Sequence, residues 1–167
     1  MSAPEPRKAS FEPVVDAATR VLILGSLPGE RSLAAGRYYA HPQNQFWRLV
    51  GGVIGRELEV LDYHARLQAL LTAGIGLWDT VASANRRGSL DAAIRDAELI
   101  PLADLTATLP ELRAVAFNGA TSARIGRALL AGTNCHLFPL PSSSPAYAAM
   151  PFAEKLRLWR AIGEFLR

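Results

Sequence analysis

The stretch Val21-Leu22-Ile23-Leu24-Gly25-Ser26-Leu27-Pro28-Gly29-Glu30 decides how the chain is read. Its four leading apolar residues, with β-branched members among them, are cut off by Gly25 and by Pro28-Gly29. Such a run between turn signals is a fully buried strand that empties into a tight loop. In an open α/β sheet ligands bind beyond the carboxyl ends of the strands. The 25–29 loop, with the polar and aromatic segment Tyr38-Tyr39-Ala40-His41-Pro42-Gln43-Asn44-Gln45-Phe46-Trp47 shortly after it, is therefore the first place to look for a site.

Outward from this strand the pattern repeats. Apolar residues recur at helical spacing over 45–54 and stop at Gly55, and a second helix over 63–73 stops at Gly74. Residues 75–78 read as a short buried strand with Asp79 and Thr80 just beyond it, and 84–91 as a polar, basic surface loop before a short helix. A helix over 102–109 is halted by Pro110, and a third strand over 114–117 ends in Asn118-Gly119. A helix over 122–130, a strand over 136–138, a Pro- and Ser-rich loop over 139–147 and a last helix over 152–166 complete the chain. Strands alternating with helices predict an α/β fold of three layers, α/β/α, with a central four-stranded parallel sheet. The start, with Pro4, Pro6 and Pro13 among charges, reads as a flexible N-terminal arm over 1–13 that precedes a single domain over 14–167.

Composition bounds the function. Half of the 167 residues are apolar, 20% are charged and the formal net charge is +3; with an isoelectric point near 9.4, the chain suits a polyanionic partner without requiring one. One cysteine, Cys135, excludes an internal disulfide and a cysteine-rich metal site. No signal-peptide core and no membrane-length apolar run is present, so the expected location is cytoplasmic. No serine sits in a nucleophile elbow, and the three histidines have no paired metal-binding spacing. The 25–29 loop lacks both the lysine of a Walker loop and the third glycine of a dinucleotide fingerprint. What remains at the strand ends is a set of amides, hydroxyls and aromatic rings, which suits a flat heterocycle held by stacking and edge hydrogen bonds, with phosphates bound nearby.

Three separated motifs then carry a resemblance: Gly25-Ser26-Leu27-Pro28-Gly29; Tyr39-Ala40-His41-Pro42-Gln43-Asn44-Gln45-Phe46-Trp47; and Leu140-Pro141-Ser142-Ser143-Ser144-Pro145-Ala146. In this order and on these elements they resemble the uracil-DNA glycosylase superfamily, closest to its hypoxanthine-DNA glycosylase branch and next to the mismatch-specific uracil/thymine-DNA glycosylases. The resemblance implies a monofunctional enzyme that flips a deaminated base, hypoxanthine first and uracil or xanthine second, out of double-stranded DNA and hydrolyses its N-glycosidic bond. It implies no cofactor, metal or lyase lysine, and a monomer is expected. It gives a catalytic role to Asn44; Asp79, at a strand end, is the reserve candidate for positioning the water. The resemblance gives base binding to Gly25, Ser26, Leu27, Tyr39, His41 and Phe46, and DNA binding to Gly29, Ser142, Ser143, Ser144, Pro145 and Ala146. The mismatch-specific branch has an asparagine where this chain has Leu27, which argues against ordinary uracil excision and keeps a mismatch-specific glycosylase or a non-catalytic DNA-binding module of the same fold as alternatives.

Each residue also has a plainer role open to it. Asn44 precedes a helix and suits a cap; Phe46 and Trp47 lie on that helix's apolar stripe and suit the core. His41 before Pro42 can brace its loop, Asp79 can cap the next segment, and Asn118-Gly119 can simply turn the chain into a helix. Arg86 and Arg87 read as solvated.

Overall fold

A computed structural model describes residues 7–167. Strand β2 (Val21–Gly25) is buried along its whole length and lies between β3 (Ile75–Asp79) and β6 (Ala114–Asn118), with β7 (His136–Leu140) at the far edge. All three pairings are parallel; Val21 lies opposite Ile75 on one side and Ala114 on the other. Alternation along these strands produces the layers. Val21, Ile23, Leu77 and Ala116 face a core shared with Phe46, Leu49 and Val50 of α2 (Phe46–Ile54), Leu70 of α3 (Tyr63–Ala73) and Trp159 of α6 (Phe152–Trp159). Leu22, Leu24, Val115 and Phe117 face the opposite core with Leu102 of α4 (Leu102–Ala107) and Ala123 of α5 (Ala120–Leu129). The expected three-layer α/β/α fold with its four-stranded parallel sheet is thus the observed one.

Local chemistry sets the element ends. The Asp62 carboxylate accepts from Ala65 N at the start of α3, and Gly55 and Gly74 take left-handed conformations that close α2 and α3. Pro139, which cannot donate to a ladder, is tolerated because β7 is an edge strand. The last helix tightens after Trp159 into a 3₁₀ turn over Arg160–Phe165, and a short α1 (Glu30–Ala35) follows the 25–29 loop.

Two expectations change. Of the predicted arm, residues 1–6 lie outside the described residues, but Arg7–Ala9 forms β1 and is not loose. It pairs antiparallel with β4 (Val81–Asn85), which pairs in turn with β5 (Arg95–Leu99), making a second, three-stranded sheet. The chain then continues along the edge of the main sheet, where Val14 and Leu77 exchange backbone hydrogen bonds at 2.9 Å. The segment 84–91, predicted to be a surface loop, accordingly begins inside β4, and Arg86 just beyond it is fully buried. Among the described residues no helix is long and apolar enough to cross a membrane.

The strand order, β3-β2-β6-β7, reverses direction at β2. After β2 the chain crosses to β3 on one side and then returns to β6 on the other, so the loops leaving β2 and β6 diverge and open a crevice at their carboxyl ends.

Candidate active site

A cavity of about 290 Å³ fills that crevice, near the lower end of the range for small-ligand sites. The 25–29 loop forms one wall. Its carbonyls are all held by the protein: Gly25 O accepts from Thr80 N, Ser26 O from Val81 N, Gly29 O from Leu33 N, and Leu27 O and Pro28 O from the two terminal nitrogens of Arg86. Because C=O and N–H point in opposite directions across a trans peptide, the amides of Ser26, Leu27 and Gly29 turn away from β4 and Arg86. Leu27 itself packs its side chain with Val81 and Ala84. Burial pulls the Arg86 guanidinium below its ordinary pKa, while Asp91, Glu30 and Asp79 push it back up. It stays a buried cation that fixes the loop.

The second wall is aromatic. Tyr39 sits at φ 53°, an uncommon conformation for a residue with a side chain. It is held there by Trp47 Nε1, which donates to Tyr39 O at 3.1 Å, and by Asn118 Nδ2, which donates to its hydroxyl at 3.3 Å. One ring face stacks on Phe46 at 3.8 Å between centroids and 10° between planes, so the other face is the one the cavity can use. Burial raises the Tyr39 hydroxyl pKa, with Asp79 adding to the rise.

Asp79 closes the floor at the end of β3, 4% exposed. Ser10 Oγ donates to its Oδ2 at 2.7 Å. Its Oδ1 hangs over Gly25: a Cβ there would lie 2.7 Å from Asp79 Oδ1 and 3.4 Å from the Tyr39 hydroxyl, so only glycine admits the carboxylate. Burial pushes the Asp79 pKa from 3.8 up to about 7; the Ser10 hydrogen bond opposes the rise, Asp91 adds to it and Arg86 opposes it.

The third motif forms the rim. Ser143 is buried: its N donates to Asn118 Oδ1 and its Oγ accepts from Asn118 Nδ2, both at 2.9 Å. Ser143 O accepts from Gln45 N at 3.0 Å, which fastens this loop to the second motif. From below, Trp159 Nε1 donates to Pro141 O at 2.9 Å. Lys155, 2% exposed, donates to Tyr147 O at 2.7 Å and to Gln45 Oε1 at 3.0 Å.

Gly25, Ser26, Leu27, Gly29, Tyr39, His41, Asn44, Asp79, Ser142, Ser143, Ser144, Pro145 and Ala146 all line the one cavity. Phe46 does not: it is fully buried behind Tyr39 and backs the platform without reaching the space in front of it. Asn44 Oδ1 accepts from Phe46 N at 3.0 Å, so this side chain does act on the helix start, and Nδ2 is left as its donor. His41 Nδ1 accepts from Gln43 N at 3.1 Å; the loop-bracing role is real and places the ring proton on Nε2. Arg86, Ser10, Asp91, Asn118 and Lys155 were not among the residues expected at the site. Asn118 carried a signal, an asparagine at the carboxyl end of a buried strand. Arg86 looked like half of a solvated pair, and the rest stand in no motif.

An α/β fold with a cavity at the strand-order reversal, floored by a buried carboxylate and walled by an aromatic platform and an amide loop, defines the class. Residues 12–163 match the family described as the uracil DNA glycosylase superfamily, and the chain belongs to it. It is 45% identical over 116 residues to a hypoxanthine DNA glycosylase of Methanosarcina barkeri, covering 70% of this chain and 73% of that protein. It is 41% identical over 139 residues to a hypoxanthine DNA glycosylase of Methanosarcina acetivorans, covering 83% and 87%. A solution NMR structure of a candidate uracil DNA glycosylase from Methanosarcina acetivorans superposes with a TM-score of 0.87 at 37% identity, covering 96% of this chain and 99% of that one. The superfamily and branch expected from the three motifs are those the comparisons support.

Proposed function

We propose that this chain is a monofunctional DNA glycosylase that excises deaminated bases, hypoxanthine first, from duplex DNA. The observation that carries the reading is the Tyr39 ring, one face stacked on Phe46 and the other bordering a cavity that Asp79 floors. A base cannot reach such a recess while stacked in a duplex, so it must be extruded, and a ring of this kind is what an extruded base stacks on.

The residues divide the chemistry. Cleavage of the bond leaves positive charge on the sugar and negative charge on the departing base, and water supplies the new bond to the sugar carbon. Asp79 Oδ1 holds that water and takes its proton; the bond electrons leave with the base, which the Ser26, Leu27 and Gly29 amides and Asn44 Nδ2 stabilise. Ser142 and Ser144, with the backbone of the 142–146 loop, hold the DNA phosphates. Both lysines of the chain are occupied elsewhere, Lys8 with Glu30 and Gly88 O, Lys155 with Gln45 and Tyr147 O. Neither lines the cavity, which favours water over a lysine amine as nucleophile. Leu27, packed with Val81 and Ala84 where the mismatch-specific branch has its asparagine, favours hypoxanthine over uracil. We place the enzyme in the cytoplasm, as a monomer.

The test uses duplexes carrying one inosine, uracil, xanthine or mismatched thymine, treated with alkali after incubation. Strand breakage at inosine first is the expected result; no breakage at any lesion would leave only a DNA-binding module.

A further inference from the structure

We propose that Ser10 is a positioning residue for the reaction, holding Asp79 by Oδ2 so that Oδ1 alone is presented to the cavity. Ser10 belongs to the segment that enters the fold through β1, and this segment is fastened on both sides of it. Ser10 N donates to Ala82 O at 2.8 Å, Trp78 Nε1 donates to Phe11 O at 2.8 Å, and the Tyr38 hydroxyl donates to Glu12 O at 3.0 Å. Val14 then locks onto Leu77. The hydroxyl is therefore delivered to the carboxylate by a tethered backbone, and a Cβ cannot be accommodated at Gly25 on the carboxylate's other side. Asp79 is gripped between two strands of backbone with one oxygen bonded and the other aimed beside the Tyr39 hydroxyl. A carboxylate that must orient one water gains from such a fixed rotamer.

The inference rests on Asp79 as the group that holds the water. Four titratable or charged groups act on it besides Ser10: Tyr38 and Tyr39 from the segment after α1, Asp91 from the 3₁₀ turn Asp91–Ala93, and the buried Arg86 beyond β4. All four remain when the Ser10 hydroxyl is removed; that change takes away the hydroxyl's own contacts, the 2.7 Å bond to Asp79 Oδ2, a 3.3 Å contact with Phe11 O and its contact with Tyr38. A bond donated to a carboxylate favours its charged form; without it, more of Asp79 is protonated at neutral pH.

The experiment follows single-turnover base release from an inosine duplex across pH for the wild type, Ser10→Ala, Ser10→Thr and Asp79→Asn. Ser10→Ala should move the midpoint of the acid limb up by roughly one pH unit, which lowers the rate about fivefold at pH 7, and Ser10→Thr should keep the wild-type profile. A Ser10→Ala profile that superimposes on the wild type, or one that is lowered uniformly without a moved midpoint, overturns the role of Ser10. Asp79→Asn separates the two layers: near wild-type release would remove the reading of Asp79 itself. An inactive Asp79→Asn beside an unshifted Ser10→Ala would remove only the inference about Ser10.

Discussion

Asn118 and Ser143 grip each other reciprocally: the Asn118 amide accepts from the Ser143 backbone and donates to the Ser143 hydroxyl, both at 2.9 Å, while the same Nδ2 lies 3.3 Å from the Tyr39 hydroxyl. One side chain at the end of β6 thus joins the serine rim of the cavity to the Tyr39 ring. Asn118→Ala strands the buried Ser143 N–H, which costs about 1–3 kcal/mol, and frees both walls. Chemical denaturation should show that loss, and titration with an inosine duplex should show weaker binding together with slower release.

Asn44 and Tyr39 should fail differently. Asn44→Ala removes one preorganised donor and is expected to slow single-turnover release roughly a hundredfold while damaged-DNA binding persists. Its lost bond to Phe46 N should cost the fold about 1 kcal/mol. Tyr39→Ala should weaken both binding and rate, since stacking contributes about 1–3 kcal/mol per base. Binding isotherms measured beside release rates on the two variants check the split.

Asp79 makes stability depend on pH in a direction opposite to most carboxylates. Its folded pKa, about 7, lies above its ordinary 3.8. The folded state therefore holds the proton more tightly. The associated stability is fully present below pH 3.8 and is lost as pH rises toward 7, by about 4 kcal/mol in the limit of a fully buried group. Asp79→Asn should remove this slope, so the variant should gain on the wild type between pH 4 and 7 in urea titrations, and a constant difference would contradict the assignment.

Gly25→Ala tests the crowding at the floor. The new methyl would meet Asp79 Oδ1 at 2.7 Å, closer than carbon and oxygen can stand, so the carboxylate must swing out of place. Release should fall by a hundredfold or more, as for a comparable loss of preorganised polar contact, while circular dichroism retains the wild-type spectrum.

Binding to undamaged duplex should weaken steeply with salt, the logarithm of affinity falling linearly with the logarithm of salt concentration as phosphate contacts release counterions. Substituting Ser142 and Ser144 with alanine should weaken binding at every salt concentration. Fluorescence anisotropy from low to moderate salt measures both effects.

The parts legible in the sequence are those that bury themselves on both sides. The 21–24 and 114–117 runs could only be central strands, and the cavity lies between the loops that leave them. The second sheet was hidden because β5, Arg-Asp-Ala-Glu-Leu, is exposed at every position and β1 carries two cations in three residues; neither shows the alternation that marks a half-buried strand. Arg86 was misread for a related reason. Its partners are the carbonyls of Leu27 and Pro28, about sixty positions away in the chain, and a backbone acceptor leaves no trace in residue type. Ser10 is equally anonymous, an ordinary serine given meaning only by the tethered segment that brings it to Asp79.

Lys155 and Trp159 fasten the serine rim to the last helix, and Gln45 fastens it to the aromatic wall. Under the proposed function, these jaws are set before DNA arrives. A clamp that does not yield leaves the deformation to the duplex, so the loosest base pairs enter it first. On that reading the enzyme senses where the helix has already lost its grip before its site reads the base.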